Sequence, residues 1–156
     1  MEVQEIFKDI PNYEGMYQVS NLGRVKSLNR VILRRDGKNY TAKENILNPT
    51  LNGKGYYTVK LYKDFKKQVI YVHQLVCVTF LNHKINGYEL VVNHINLNKE
   101  DNRLENLELV TQRENANHKH IKSSSKYVGV SWRKDKKKWS SSIKVKDKNI
   151  HLGLFV

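Results

Sequence analysis

Residues 91–118 read VVNHINLNKEDNRLENLELVTQRENANH, with seven asparagines and two histidines. Asparagine favours neither helix nor strand. Its density marks places where the backbone turns or where an amide does chemistry. Residues 88–93 (YELVVN) and 107–110 (LELV) read as two strands joined by the polar connection HINLNKEDNRLEN. Thr111 and Glu114 then have the spacing of a capping box, in which the threonine hydroxyl accepts an early helix N–H and the glutamate bonds back. A helix is predicted to start near Gln112, so the order is strand, loop, strand, helix.

That order places His94 at the end of the first strand and Asn106 just before the second. Asn115 and His118 are three apart on the helix and share a face. The hairpin and helix can bring Asn93, His94, Asn115 and His118 to one spot. Oxygen and imidazole donors suit a hard divalent ion such as Mg²⁺ or Mn²⁺. A free imidazole beside the ion can take a proton from water, while the ion neutralises a phosphodiester and steadies its leaving oxygen. The competing reading makes these asparagines turn formers and caps. It holds for Asn96, Asn98 and Asn102, and spacing alone leaves Asn93, Asn106 and Asn115 open.

Upstream, residues 72–81 (VHQLVCVTFL) place Val72, Leu75, Val76 and Phe80 on one helical face. His73 sits at the start of that helix. A lone histidine beside an apolar run is more often a satisfied structural residue than a ligand, and both readings stay open. YYTVKLY (56–62) and KQVIYV (67–72) read as partner strands, with loops at Asn48-Pro49 and Asn52-Gly53. Asp36-Gly37 is a further turn signal. YQVS and RVKSL near the start form a hairpin around Asn21-Leu22-Gly23, residues that supply a turn with positive φ. Arg24 and Lys26 alternate with Val25 and make one face basic, which is either a solvated face or a binding one. Lys119–Lys126 (KHIKSSSK) reads as a basic linker. YVGVSW, KWSSSIKV and NIHLGLF follow as three short strands whose sheet needs cover on one face. Either another part of the chain covers it, or the chain is expected to be a fragment.

Composition narrows the partner. The chain has 156 residues, a formal net charge of +13 and nine tyrosines among its lysines. Residues 1–118 hold 17 Lys+Arg against 13 Asp+Glu, and residues 119–156 hold 11 against 2, so the tail carries most of the excess. Such a chain suits a polyanion, and nucleic acid is favoured over an anionic membrane surface because no long basic amphipathic helix is present. Cys77 is the only cysteine, which excludes an intrachain disulfide and a cysteine-based zinc site. The start, MEVQEIFKDIP, is not a signal peptide, and no apolar stretch nears the roughly 20 residues of a membrane span. A soluble, cytoplasmic protein is expected.

The stretch VVNHINLNKEDNRLENLELVTQRENANH, with VHQLVCVTFLN before it, resembles the active-site region of HNH homing endonucleases, the ββα-metal nucleases of phage introns. The resemblance implies an α+β fold: a ββα-metal core flanked by small β-rich DNA-binding modules. It implies His94 as general base, with Asn93 and Asn115 as metal ligands. Asn106 would orient the His94 ring and brace the loop. His118 would lie near the metal, as a ligand or a phosphate contact, and His73 would be a supporting residue. Asn93 stands where many relatives carry Asp, and Asn96 and Leu97 stand where Asp and Gly are common, so the hairpin loop is expected to be less tight.

Residues 6–28 resemble a short N-terminal modular element of such nucleases, which implies that Ser20, Asn21, Arg24 and Lys26 face DNA. The tail SKYVGVSWRKDKKKWSSSIKVKDKNIHLGLF resembles the sheet of an Apetala2-type DNA-binding domain, with Trp132, Arg133, Lys138, Trp139 and Lys144 at its matching positions. Trp139 is open to a core role as well. The division expected is 1–50 (DNA-binding element), 51–121 (nuclease) and 122–156 (sheet, truncated). The function implied is a metal-dependent DNA endonuclease that nicks one strand of double-stranded DNA, with Mg²⁺ or Mn²⁺ as cofactor. A monomer is expected, with a dimer as the route to cutting both strands. The alternative is a DNA-binding regulator without catalysis. RNA binding is disfavoured, because the major groove of A-form RNA is too narrow for a sheet.

Overall fold

The computed structural model describes residues 3–34, 36–85, 89–118, 125, 127–146 and 148–156, the last helical residue by its backbone alone. The chain divides into two compact units, residues 1–109 and 110–156, and each is taken by itself.

The first unit opens with short strands. These are β1 (Phe7–Asp9), β2 (Tyr17–Ser20), β3 (Val25–Ser27), β4 (Arg30–Leu33), β5 (Asn39–Ala42) and β6 (Asn45–Ile46). Strands β1, β2, β3 and β6 form one antiparallel sheet in that order, while β4 and β5 pair as a separate hairpin over the Asp36-Gly37 turn. The β2–β3 turn closes with Gly23 N–H donating to Ser20 C=O at 3.0 Å, and Gly23 takes a φ of 82°. Then come β7 (Thr50–Leu51), β8 (Tyr57–Lys63) and β9 (Lys66–Tyr71), an antiparallel meander that feeds directly into α1 (Val72–Phe80). Helix α1 buries Val72, His73, Leu75, Val76 and Cys77 against strands from both sheets. Burial also pushes the Cys77 thiol up to about 12, which keeps it protonated and unreactive.

One core serves the whole unit. Ile10 and Tyr13 from the β1–β2 connection and Tyr17, Val19 and Val25 from the first sheet join Val59, Leu61, Val72, Leu75, Val76 and Leu107 in a single buried cluster. Residues on both sides of position 50 therefore pack together, and no break in the core falls there. Past α1, β10 (Val91–His94) pairs with β11 (Leu107–Val110), joined by a loop that ends in a 3₁₀ turn at Leu104–Asn106.

The second unit begins with α2 (Gln112–His118). Its capping box forms as the spacing predicts. Thr111 N–H donates to Glu114 Oε2 at 2.8 Å, and Glu114 N–H donates back to Thr111 Oγ1 at 3.2 Å. Of the linker 119–126, only Ser125 lies within the described residues. Strands β12 (Val130–Arg133), β13 (Lys138–Val145) and β14 (Lys148–Phe155) make an antiparallel three-stranded sheet. Among the described residues no helix is long and apolar enough to cross a membrane.

The sheet carries a bulge between Ser141 and Ser142, and Gly129 makes it possible. Gly129 sits at a φ of 77° and accepts the Ser142 N–H at 2.8 Å; a Cβ there would lie 2.3 Å from the Ser142 carbonyl oxygen. Gly129→Ala is expected to lower the stability of this unit by about 1–3 kcal/mol. Trp132 and Trp139, the chain's two tryptophans, both lie in β12 and β13. Tryptophan fluorescence during denaturant unfolding thus reads this unit selectively and checks the loss.

Candidate active site

The loop from Ile95 to Asn106 has few apolar side chains to hold it, and its asparagines take that work. Asn96 Oδ1 accepts from Asn98 N–H at 2.8 Å, and Asn98 Oδ1 accepts from Glu100 N–H at 3.1 Å. Asn106 spans the loop: its Oδ1 accepts from Asn96 N–H at 3.0 Å and its Nδ2 donates to Asp101 C=O at 2.8 Å. Leu97 N–H donates to His94 C=O at 3.0 Å, and Leu97 takes a left-handed φ of 63°. Leucine thus accepts the backbone that glycine holds more cheaply. Arg103 grips Asp101 through two 2.8 Å hydrogen bonds and holds that carboxyl well below its ordinary range, at about 2.

His94 ends β10 with 5% of its surface exposed, beside this loop. Its Nε2 lies 3.3 Å from Asn102 Oδ1. The other end of that amide, Nδ2, donates to Glu100 C=O at 3.1 Å, which fixes which end is oxygen. An amide oxygen only accepts, so Nε2 carries the proton and Nδ1 keeps the lone pair. Asn106 braces the loop as expected, but the ring of His94 is met by Asn102 rather than by Asn106. Sequence reasoning assigned Asn102 to a turn, and nothing local distinguishes its amide from the others.

An aromatic cluster lies against His94. The His73 ring meets His94 edge-on at 5.2 Å between centroids and stacks on Tyr71 at 5.3 Å. Tyr56 lies 5.0 Å from His73 and 5.9 Å from His94. His73 thus supports the histidine from inside the core, and its Nδ1 is buried without a hydrogen-bond partner. Burial, then the proximity of His94, push the His73 pKa down to about 3. Burial also lowers the His94 pKa, against the pull of the Asn102 hydrogen bond and the Asp101 carboxylate. Both imidazoles are therefore neutral at pH 7, the form a general base requires.

Asn93, next to His94, is buried, and its Nδ2 donates to Glu108 Oε1 on β11 at 2.7 Å. A carboxylate has no proton to give at neutral pH, so the amide's Nδ2 faces Glu108 and Oδ1 is left as an oxygen donor of the kind Mg²⁺ and Mn²⁺ take. Asn115 lies on α2 in the second unit, with its N–H donating to Thr111 C=O at 3.0 Å. The side chain of His118 lies outside the described residues.

The residues expected to face DNA are redistributed. Ser20 is fully buried, and its hydroxyl accepts the N–H groups of Leu22 and Arg24, so it shapes the turn and offers no surface. Asn21 is likewise structural: Oδ1 accepts from Ile6 N–H at 2.7 Å and Nδ2 donates to Gln4 C=O at 3.1 Å. The Arg24 guanidinium is bound by Glu5, and Lys26 Nζ lies 3.6 Å from Glu44 and over the Phe7 ring. These acids neutralise a face read as basic. In the second unit, Trp132 and Trp139 pair across β12 and β13 with ring centroids at 5.2 Å. Arg133 and Lys138 are the next pair in register, so they project from the opposite face. The expected contacts therefore divide between the two faces, and Arg133 is also bound to Asp135 through two 3.0 Å bonds. Lys144 lies further along β13, exposed, past the bulge.

The β2–β3 turn is part of the histidine's support. Asn21 C=O accepts Leu104 N–H at 2.8 Å, and a Cβ on Gly23 would fall 2.9 Å from Asn102 Cβ and 3.0 Å from its carbonyl oxygen.

Residues 71–117 match the family described as HNH endonuclease, and residues 5–62 match the NUMOD4 motif. The chain is thus similar, over residues 71–117, to an HNH endonuclease domain. It is a homologue of DNA endonuclease I-HmuI of Bacillus phage SP01, to which it is 40% identical over 111 residues, 70% of this chain and 54% of that protein. An uncharacterized HNH endonuclease of Acanthamoeba polyphaga mimivirus is 43% identical over 117 residues, 73% of this chain and 26% of that protein. The solved structure titled "DNA binding and cleavage by the HNH homing endonuclease I-HmuI" superposes with a TM-score of 0.57 at 34% identity, over 74% of this chain and 57% of that one. The chain spans about half or less of these relatives' lengths.

Two consequences are measurable. Gly23→Ala is expected to displace Asn102 and to change the His94 imidazole resonances in an NMR titration, while a substitution at the open Gly15 leaves them in place. The folded chain keeps His73 neutral down to about pH 3, whereas an unfolded histidine takes its proton near about 6.5. Between those values the unfolded state binds the extra proton, so stability falls as pH falls. Urea melts at pH 7 and pH 5 should show that loss, and His73→Phe should reduce it.

Proposed function

We propose that this chain is a metal-dependent DNA endonuclease of the HNH type that hydrolyses a phosphodiester, nicking one strand per site. The observation that carries the reading is the neutral His94, buried at the end of β10 with its tautomer set by Asn102. Its Nδ1 takes the proton of the attacking water. Asn102 and the edge of His73 hold the ring still, and Asn106 and the Asp101–Arg103 pair keep the loop closed beneath it. Asn93 Oδ1 is the ligand on the hairpin side, and the resemblance gives Asn115 the second protein ligand position and His118 a place near the metal. A bound Mg²⁺ or Mn²⁺ would neutralise the phosphodiester and stabilise the leaving oxygen.

DNA is held through phosphate contacts. The second unit carries the larger share of the net positive charge, and Arg133 and Lys138 on one face of its Apetala2-like sheet, together with Lys144, are assigned to the backbone. The tryptophan pair stiffens the other face. The Asn93 position favours a second reading. A neutral amide where related nucleases carry Asp weakens metal binding, and a protein that binds DNA without cutting it would tolerate that.

Nicking of supercoiled plasmid at low salt, with Mg²⁺, Mn²⁺ or EDTA, separates the two. Metal-dependent relaxation that falls on the order of 10²–10⁴-fold in His94→Ala is expected for a lost general base. Equal relaxation by both proteins would reject His94. Tight binding that is indifferent to metal and to His94→Ala, with no cutting of cognate DNA, would favour the regulator.

A further inference from the structure

The stretch 91–118 contains five acidic residues. Four have structural partners. Glu100 accepts the Tyr57 hydroxyl at 3.0 Å, and Asp101 and Glu105 are bound by Arg103. Glu114 closes the capping box. The fifth, Glu108, is half-buried on β11, and its 2.7 Å bond is to the amide of Asn93.

That bond matters because of what Asn93 lacks. A hard divalent cation is held chiefly by anionic oxygens, and an amide offers only a dipole. Among the described residues no three or more of His, Cys, Asp and Glu cluster as a metal site. Glu108 is the carboxylate set directly against that amide. We propose that Glu108 supplies the charge of the metal centre and positions Asn93: it holds Nδ2, turns Oδ1 outward as the ligand atom, and places a carboxylate beside a neutral donor. This rests on the nuclease reading above. Glu108 acts on the metal through Asn93, and its charge does for this site what a carboxylate at position 93 would do directly.

The test separates charge from shape. Glu108→Gln keeps the size of the side chain and an acceptor oxygen while removing the charge. Mn²⁺ affinity of the full chain is read from depletion of the free-ion signal in electron paramagnetic resonance. Glu108→Gln is expected to weaken binding by about tenfold or more. Adding Asn93→Asp to that variant exchanges carboxylate and amide across the same hydrogen bond and is expected to recover most of the loss. A merely structural Glu108 would not be rescued in this way. Unchanged Mn²⁺ affinity in Glu108→Gln overturns the proposal, as does a folded double variant that fails to recover it. If Glu108→Gln does not fold, the double variant decides alone: affinity near wild type supports the proposal and lost affinity overturns it. His94→Ala should bind Mn²⁺ normally yet fail to nick. Unchanged affinity in Glu108→Gln beside His94-dependent nicking by wild type leaves the nuclease reading standing and removes only this inference. A wild type that neither binds Mn²⁺ nor nicks removes both.

Discussion

An amide can hold an imidazole in one tautomer only if the amide cannot turn over. Asn102 meets that condition because its Nδ2 is committed to Glu100 C=O, and the residue sits so close to the β2–β3 turn that a Cβ on Gly23 would fall 2.9 Å from its Cβ. The 3.3 Å approach of Asn102 Oδ1 to His94 Nε2 is thus the last link of a chain that begins in the β2–β3 turn. Removing any earlier link frees the amide, and a free amide no longer decides which ring nitrogen carries the proton. The net worth of one such bond is about 0.5–1.5 kcal/mol. Its value here lies in orientation more than in stability.

The interior beside His94 adds a second constraint. Two imidazoles and two tyrosine rings fill the space where β8, β9 and α1 meet β10. Burial there disfavours the imidazolium form, so each ring stays neutral without an acid to enforce it. The cost appears in His73, whose Nδ1 is buried without a hydrogen-bond partner. A buried polar atom left unpaired costs on the order of 1–3 kcal/mol. That cost falls on the aromatic surface that lies against the side of the His94 ring.

What was legible in the sequence was local. The capping box at Thr111 and Glu114, the hairpin around Gly23, the β8–β9 pair and the apolar face of α1 each depend on residues a few positions apart, and each formed. His94 and Asn93 are singled out by a motif held in register, and the fold places them side by side at the buried end of β10. Asn102 was not legible, because its amide is chemically identical to that of Asn106 and only the folded loop gives one the ring and the other the backbone. The partners of Arg24 and Lys26 were hidden for a similar reason. Glu5 and Glu44 lie some twenty residues away along the chain and arrive through sheet pairing and loop closure. In the tail, the tryptophans and the Arg133–Lys138 pair are all matching positions of one resemblance. Strand alternation puts them on opposite sides.

The two matched families meet inside a structural element. The NUMOD4 match ends at residue 62 and the HNH match begins at residue 71, so the join lies across the β8–β9 hairpin. The core beneath it draws Val59 and Leu61 from one side and Val72, Leu75 and Val76 from the other. Transplanting either segment into a different protein would carry half a hairpin and half a core with it. As a unit of exchange between genes, residues 1–109 carry that hairpin, that core and the histidine's surroundings together.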